Sequence, residues 1–465
     1  MEWILDHATQ LLRNTALCDS CLGRQFGNLL TGLTNKQRGF AIKVVLGLHG
    51  EWQKKLGTMS EMNRDLLEIL TRSGFTSIRD SPMDGVLASH PIKECELCGD
   101  LFSEATLATI ARMAVETGTN VQFGTFLVGS IFPASILERE DELRTHFNLH
   151  FGESMKSELN REVGKRISEI LGDQVAVEFD NPDVVFVVKL QPPTKPSIRL
   201  QINPIFLMGR YKKLIRGIPQ AKWDCRVCRG AGGDCPHCNG TGKLYQTSVA
   251  ELVFEPLIEL FKSSEAKFHG SGREDIDARM LGTGRPFVVE MKEPKVRNVD
   301  LAEAEAKINE YASGKVEVSL TEFVHRDKVR EIKTRSSLMT KNYEMLIELG
   351  DEIKLSQEKI AEIEEYFTNR EIKQRTPTRV SHRRADKVRI RRVHELKLEP
   401  ERELVDQESA IKQMNVKILC EGGLYVKELM SGDSGRTSPS LAEILEVEVV
   451  PLALDVLAVH SNDKS

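Results

Sequence analysis

Residues 269–291 read HGSGREDIDARMLGTGRPFVVEM. Three acids, Glu274, Asp275 and Asp277, cluster beside Arg273 and Arg279, and Gly270, Gly272, Gly282 and Gly284 frame them. The run PFVVEM that follows has the composition of a strand. A glycine-framed loop of alternating charge at the head of a strand suits catalysis. An arginine there keeps a carboxylate ionised, hence nucleophilic, through a charge-assisted hydrogen bond. The plainer reading is a surface turn held by local ion pairs. A phosphate-binding loop is excluded, because no G-x-x-x-x-G-K-[ST] occurs and the loop's acids would repel phosphate. The loop's own residues do not choose between Asp275 and Asp277.

The chain around this loop has 465 residues. At roughly 100–200 residues per domain, two to four domains are expected. Its 40% hydrophobic and 29% charged fractions exclude collagen-like, wholly disordered and disulfide-scaffold chains. No run approaches ~18 consecutive apolar residues, so no membrane span is expected. The start, MEWILDHATQLLRN, carries Glu2 and Asp6 and is no secretory signal, which makes an intracellular, cytoplasmic protein the expectation. The net charge of −5 is unevenly spread. From Arg370 to His394 there are ten Lys/Arg against Glu371 and Asp386, a formal +8, which leaves −13 for the remainder. An acidic body with one basic strip addresses a polyanion locally. A solvated basic loop is the bland alternative.

Nine cysteines form four C-x-x-C pairs and one remainder, Cys420. CRVCRGAG and CPHCNGTG supply Cys225, Cys228, Cys235 and Cys238, with six residues between the second and third. Two such knuckles complete a tetrahedral zinc shell, and their glycines let the backbone curl around the metal. Cys18/Cys21 and Cys95/Cys98 lie farther apart, and their pairing into a second site is a topological inference. Each site would have four thiolates and no open position, so structural zinc is expected in both. Cys420, in VKILCEGG, reads as a small core residue.

The pattern along the chain is α+β, with no repeating β-α-β rhythm. Residues 1–100 read as a helical zinc-binding region. Residues 101–205 form an α/β unit with the helix LNREVGKRISEILG and the β-rich runs of QVAVEFDNPDVVFVVKL, split at Asn181-Pro182-Asp183. Residues 204–222 read as a basic, proline-punctuated connection, with a zinc hairpin at 223–243 after it. Strands are expected near 286–292 and 316–324, and a long acidic helix over 342–367.

The unit around NPDVVFVV resembles the THUMP domain of RNA-modifying enzymes. Gly272-Arg273-Glu274-Asp275 resembles the G-R-x-D motif of pseudouridine synthases. The longer run GREDIDARMLGTGRPF is similar to one branch, the archaeal and eukaryotic tRNA pseudouridine synthases acting on uridines 54 and 55. KTRSSLMTKNYEML, the strip IKQRTPTRVSHRRADKVRIRRV and EGGLYVKELMSGDSGRTSPSLAEIL carry the same likeness, which spans nearly the whole chain.

This resemblance implies an N-terminal zinc-binding and THUMP-like region, then a catalytic domain over 206–465 built on a mainly antiparallel sheet. It implies isomerisation of uridine to pseudouridine at positions 54 and 55 of the TΨC loop of tRNA, with base flipping and no catalytic cofactor. By motif position Asp275 is the essential carboxylate. Arg273 would extrude the nucleotide, since a stacked base cannot reach the carboxylate. Tyr343 would stack on the base and serve proton transfer. Tyr425 would be a second substrate contact. Lys427 would pair with the catalytic carboxylate, and Leu429 would wall the pocket. Arg375, Arg379, Arg383, Arg384, Arg389, Arg391 and Arg392 suit forked contacts to phosphates. A monomer with tRNA as its partner is expected, and no protein partner is implied. The competing reading is a non-catalytic RNA-binding protein with THUMP-like and zinc modules.

Overall fold

The computed structural model describes residues 2–58, 61–76, 92–191, 195–335, 339–400 and 410–460. It divides into two compact units, Met1–Asn203 and Pro204–Ser465.

In the first unit, helices Glu2–Asn14, Asp19–Arg24, Asn35–Lys55, Glu104–Gly118 and Met155–Leu171 accompany a four-stranded sheet. Its strands are β1 (Thr125–Ile131), β2 (Ala176–Val177), β3 (Val184–Lys189) and β4 (Ser197–Ile202). The order is β2-β1-β3-β4, with only the β3–β4 pair antiparallel. The Asn-Pro-Asp turn sets this register locally. The Asp183 carboxylate accepts from the Gly124 and Thr125 amides at 2.8 and 3.1 Å, which ties the turn to the start of β1. One hydrophobic cluster runs from Ala8 to Leu190. Inside it, Arg24 is fully buried and pairs with Glu140 and Glu158, each at 2.7 Å.

The second unit holds a ten-stranded sheet. Its strands are β5 (Ile205–Lys213), β6 (Glu265–Gly270), β7 (Ala278–Lys292), β8 (Val316–Val324), β9 (Thr340–Lys354), β10 (Arg370–Arg375), β11 (Val388–Pro400), β12 (Ala410–Glu421), β13 (Thr437–Ser438) and β14 (Val449–His460). The order is β13-β10-β11-β12-β9-β14-β7-β5-β8, with β6 also on β7. Among the described residues only β14 and β7 run parallel, so the sheet is mainly antiparallel. Gly282 permits the close approach of β7 to β14. A Cβ there would lie 1.8 Å from the Leu457 carbonyl oxygen.

Two local expectations are corrected. Residues 204–222 are no mere connection, because Ile205–Lys213 is a sheet strand with Ile205, Leu207 and Tyr211 in the core. The helix expected over 342–367 splits into strand β9 and helix Gln357–Phe367. Lys341, Tyr343, Met345, Ile347 and Leu349 are buried at every second position, and that period of two belongs to a strand. Tyr425 follows the end of β12. It precedes the short helix Val426–Ser431.

Candidate active site and metal centres

The loop 271–277 leaves β6 and enters β7. Its underside is built from a buried charge cluster. Glu274 accepts from the Tyr211 hydroxyl at 3.0 and 2.9 Å and pairs with Arg285 at 2.9 Å. Arg285 also donates to the Ser271 carbonyl at 3.0 Å. The Gln220 amide donates to the Tyr211 hydroxyl and to the Gly272 carbonyl, both at 2.9 Å. Burial, reinforced by the Glu274 charge, pushes the Tyr211 hydroxyl well above its usual pKa, which keeps it a donor. Gly272 holds φ +77°, and a Cβ there would lie 3.2 Å from Arg285 Nη1. Lys213, fully buried, donates to the carbonyls of Ile218, Asp275 and Ile276, each at 3.0 Å. With Glu274 and these carbonyls committed inward, the neighbouring Asp275 side chain is left for the open face.

There the Asp275 carboxylate pairs with Arg379 Nη1 at 3.0 Å. Arg379 is held by Glu428 as well, Nε to carboxylate at 2.6 Å. Burial opposes the Arg379 charge, but the Glu428 and Asp275 carboxylates outweigh it and raise its pKa. This corrects the expectation for Lys427. Lys427 pairs with Asp277 at 2.5 Å, not with Asp275. Its short helix directs it to the outer acid, while Arg379 reaches Asp275 from the segment after β10.

A cavity of about 310 Å³ opens over the pair, a volume in the range of ligand sites. Arg273, Asp275, Tyr343, Arg379, Arg384, Arg389, Arg391, Tyr425 and Lys427 all line it. Tyr343 is 9% exposed, and burial followed by the neighbouring Cys420 raises its pKa. Arg273 is exposed, with its guanidinium 5.8 Å from the Trp223 ring. The Arg379 guanidinium lies 5.9 Å from the Tyr425 ring. Leu429 does not wall this cavity. It is fully buried in the core beneath, and the apolar lining is Val380, Leu424, Val426, Leu454 and Val456.

The basic strip divides. Arg379, Arg384, Arg389 and Arg391 face the cavity, whereas Arg375 pairs with Asp386 at 2.6 Å and Arg392 with Glu371 at 2.8 Å. The Arg383 side chain lies outside the described residues. Sequence reasoning missed the supporting roles of Tyr211, Lys213, Glu274 and Arg285. Arg285 stood in the quoted GRPF run, but no local signal says that it turns back beneath the loop.

Both cysteine quartets close. Cys18, Cys21, Cys95 and Cys98 form one group, and Cys225, Cys228, Cys235 and Cys238 the other, with all sulfurs in each within 4.8 Å of one another. The Cys18–Cys98, Cys225–Cys235 and Cys228–Cys238 sulfurs are 3.8, 4.0 and 3.7 Å apart. Four sulfurs about 2.3 Å from a tetrahedral zinc would be about 3.8 Å from each other, so both donor sets fit the metal. The Gly232 amide donates to Cys228 Sγ at 3.4 Å and lowers that thiol to about 7.

Comparison with known proteins identifies the family. Residues 206–460 match the family described as Pus10, C-terminal, and residues 110–189 match the archaeal Pus10 THUMP domain. A Methanopyrus kandleri protein named tRNA pseudouridine synthase Pus10 is 42% identical, covering 98% of this chain and 98% of its own. A Methanocaldococcus jannaschii protein of the same name is 41% identical over 98% of this chain and 94% of its own. A solved Cbf5-Nop10-Gar1 complex contains a chain 16% identical over 44% of this one and 43% of its own, with a TM-score of 0.26, a likeness on which nothing is built. Two matching family domains and full-length relatives at this identity make the chain a member of the Pus10 family.

Proposed function

We infer that this chain is a tRNA pseudouridine synthase that isomerises uridines 54 and 55 of the TΨC loop, with Asp275 as the essential carboxylate. The observation that carries the assignment is the Asp275–Arg379 pair at 3.0 Å, opening into a cavity lined by Tyr343 and by arginines. In the reaction the N1–C1′ bond breaks, the base turns, C5 bonds to C1′, the C5 proton leaves and N1 takes one up. Both bonds lie within one nucleotide and no net oxidation occurs, so the isomerisation needs no co-substrate.

The chain's residues divide this work. Arg384, Arg389 and Arg391 contact the phosphates around the target, so binding weakens as salt rises. Arg273 stands at the rim, where it displaces the flipped nucleotide. Tyr343 stacks on the base and takes part in removing the C5 proton, and Tyr425 contacts the substrate from the opposite segment. Arg379 holds the Asp275 carboxylate in place through a charge-assisted hydrogen bond. The two cysteine quartets hold Zn²⁺ as structural sites, one ion each. Among the described residues no helix is long and apolar enough to cross a membrane, and the cytoplasm, where tRNA is found, is the expected location.

The test is tritium release from a C5-tritiated, unmodified tRNA transcript, with wild type and Asp275→Ala side by side. Isomerisation expels the C5 hydrogen to solvent. Release by wild type alone supports both the reaction and the residue. Persistent release by the variant overturns the choice of Asp275. Binding without release by wild type leaves the non-catalytic RNA-binding reading.

A further inference from the structure

Three buried lysines contrast in the two units. Lys43 donates to the Leu17 and Ser73 carbonyls and pairs with Asp19. Lys213 donates to three carbonyls beneath the loop. Lys341 is 8% exposed and lines the active-site cavity, yet no hydrogen bond or ion pair joins its ammonium to any described residue.

Burying an unpaired ammonium is unfavourable, and a protein usually supplies a partner. None of the neighbours is free to do so. Glu274 faces Lys341 from the loop but is committed to Arg285 and Tyr211. Arg285, from β7, is a like charge. Cys420 stands opposite on β12, and burial raises its thiol to about 12 against the opposing Lys341 charge, so it remains protonated. From β14 the register partner is the apolar Val459. Burial, with Arg285 second, lowers the Lys341 ammonium to about 8. Position completes the picture. Lys341 lies two residues before Tyr343 on β9, hence on the same strand face. A Cβ built on Gly272 would lie 3.8 Å from Lys341 Nζ, which sets the ammonium against the backbone of the loop that carries Asp275.

We propose that the missing partner of Lys341 is the uracil ring of the substrate, and that its ammonium stabilises the negative charge on that ring when the N1–C1′ bond breaks. This rests on the synthase reading above. The bonding pair stays on the ring as the bond breaks and gives a uracilate anion with its charge shared by O2 and O4. The charge is lost again when C5 bonds to C1′, and the proton that C5 then gives up is matched by one that N1 takes from solvent. A fixed cation at a ring oxygen in a nearly dry cavity acts where charge develops and needs no reorganisation. Lys341 is thus a catalytic residue distinct from Asp275, Tyr343 and Arg379.

The test uses the full chain, Lys341→Met and Lys341→Arg, and two tRNA transcripts, one with C5-tritiated uridine and one with 5-fluorouridine at the target. Single-turnover rates come from tritium release for the uridine transcript and, for the 5-fluorouridine transcript, whose C5 has no proton to give up, from the C5–C1′-linked nucleoside seen by mass spectrometry, and affinities come from filter binding. Lys341→Met is expected to slow the uridine reaction about 100-fold with unchanged tRNA affinity, and Lys341→Arg to restore about tenfold of it. Fluorine withdraws electrons and stabilises the uracilate itself, so the loss in Lys341→Met shrinks on the 5-fluorouridine transcript. A penalty equal on both substrates overturns the proposal. So does weakened binding with an unchanged saturated rate, which assigns Lys341 to a phosphate. An active wild type with an equally active Lys341→Met overturns this proposal alone. A silent wild type overturns the synthase reading and this one together.

Discussion

Glu274 and Asp275 are adjacent and carry the same functional group, but they lie on opposite sides of one loop. The Glu274 side chain is 1% exposed, held by Tyr211 and by an arginine that is 1% exposed itself. The Asp275 side chain is 27% exposed and meets an arginine that is 37% exposed. The buried side fixes backbone position. The open side leaves one carboxylate near solvent and reachable by a base. A buried pair is rigid because either ion alone would be strongly unfavourable there. A half-open pair exchanges partners easily, as a catalytic carboxylate must.

The sharpest way to break this contrast is Asp275→Asn. Tritium release is expected to fall by about 10⁴-fold or more, while chemical denaturation gives an unchanged stability. The opposite pattern is expected from Glu274→Gln. Arg285 is then left buried without its counter-charge, and urea denaturation should show a loss of about 3–5 kcal/mol. If Glu274→Gln folded as well as wild type, the division of labour between the two sides would fail. An intermediate effect is expected for Arg379→Ala. Arg379 positions Asp275, and a loss of about 2 kcal/mol, or roughly 30-fold in single-turnover rate, would match a charge-assisted bond.

The pH profile sharpens the comparison further. The folded pKa of Lys341 is lowered from 10.5 to about 8, so its charge is present below that pH and lost above it. The rate of wild type should therefore fall about tenfold per unit above pH 8, and Lys341→Arg should be flat across the same range. The smallest effect is reserved for Lys427→Met. Its partner Asp277 is 67% exposed, and screening by water limits such a pair to less than about 1 kcal/mol in either stability or rate.

Much of the site was legible as sequence. The quoted loop, the arginine-rich strip and the paired cysteines are all local patterns of charge, glycine and ligand spacing. The period-two burial of β9 was equally present in TKNYEMLIEL, but its acids and long apolar residues also fit a helix, and a short run satisfies both periods. The basic residues of 204–222 likewise hid β5, because Lys213 is buried against carbonyls of the loop and not in water.

By itself the sequence determined the residue types available to the chemistry, the Asp275 loop at the head of a strand, and the chelating pairs of each knuckle. The tertiary structure alone decided which distant groups meet. It closed Cys18 and Cys21 onto Cys95 and Cys98, gave Asp275 to Arg379 and Asp277 to Lys427, turned Arg285 beneath the loop and left Lys341 without a partner among the described residues. The physical reason is one of range. Periodicity and ligand spacing act within a few residues, whereas ion pairing and burial are set by the register of strands far apart in the chain.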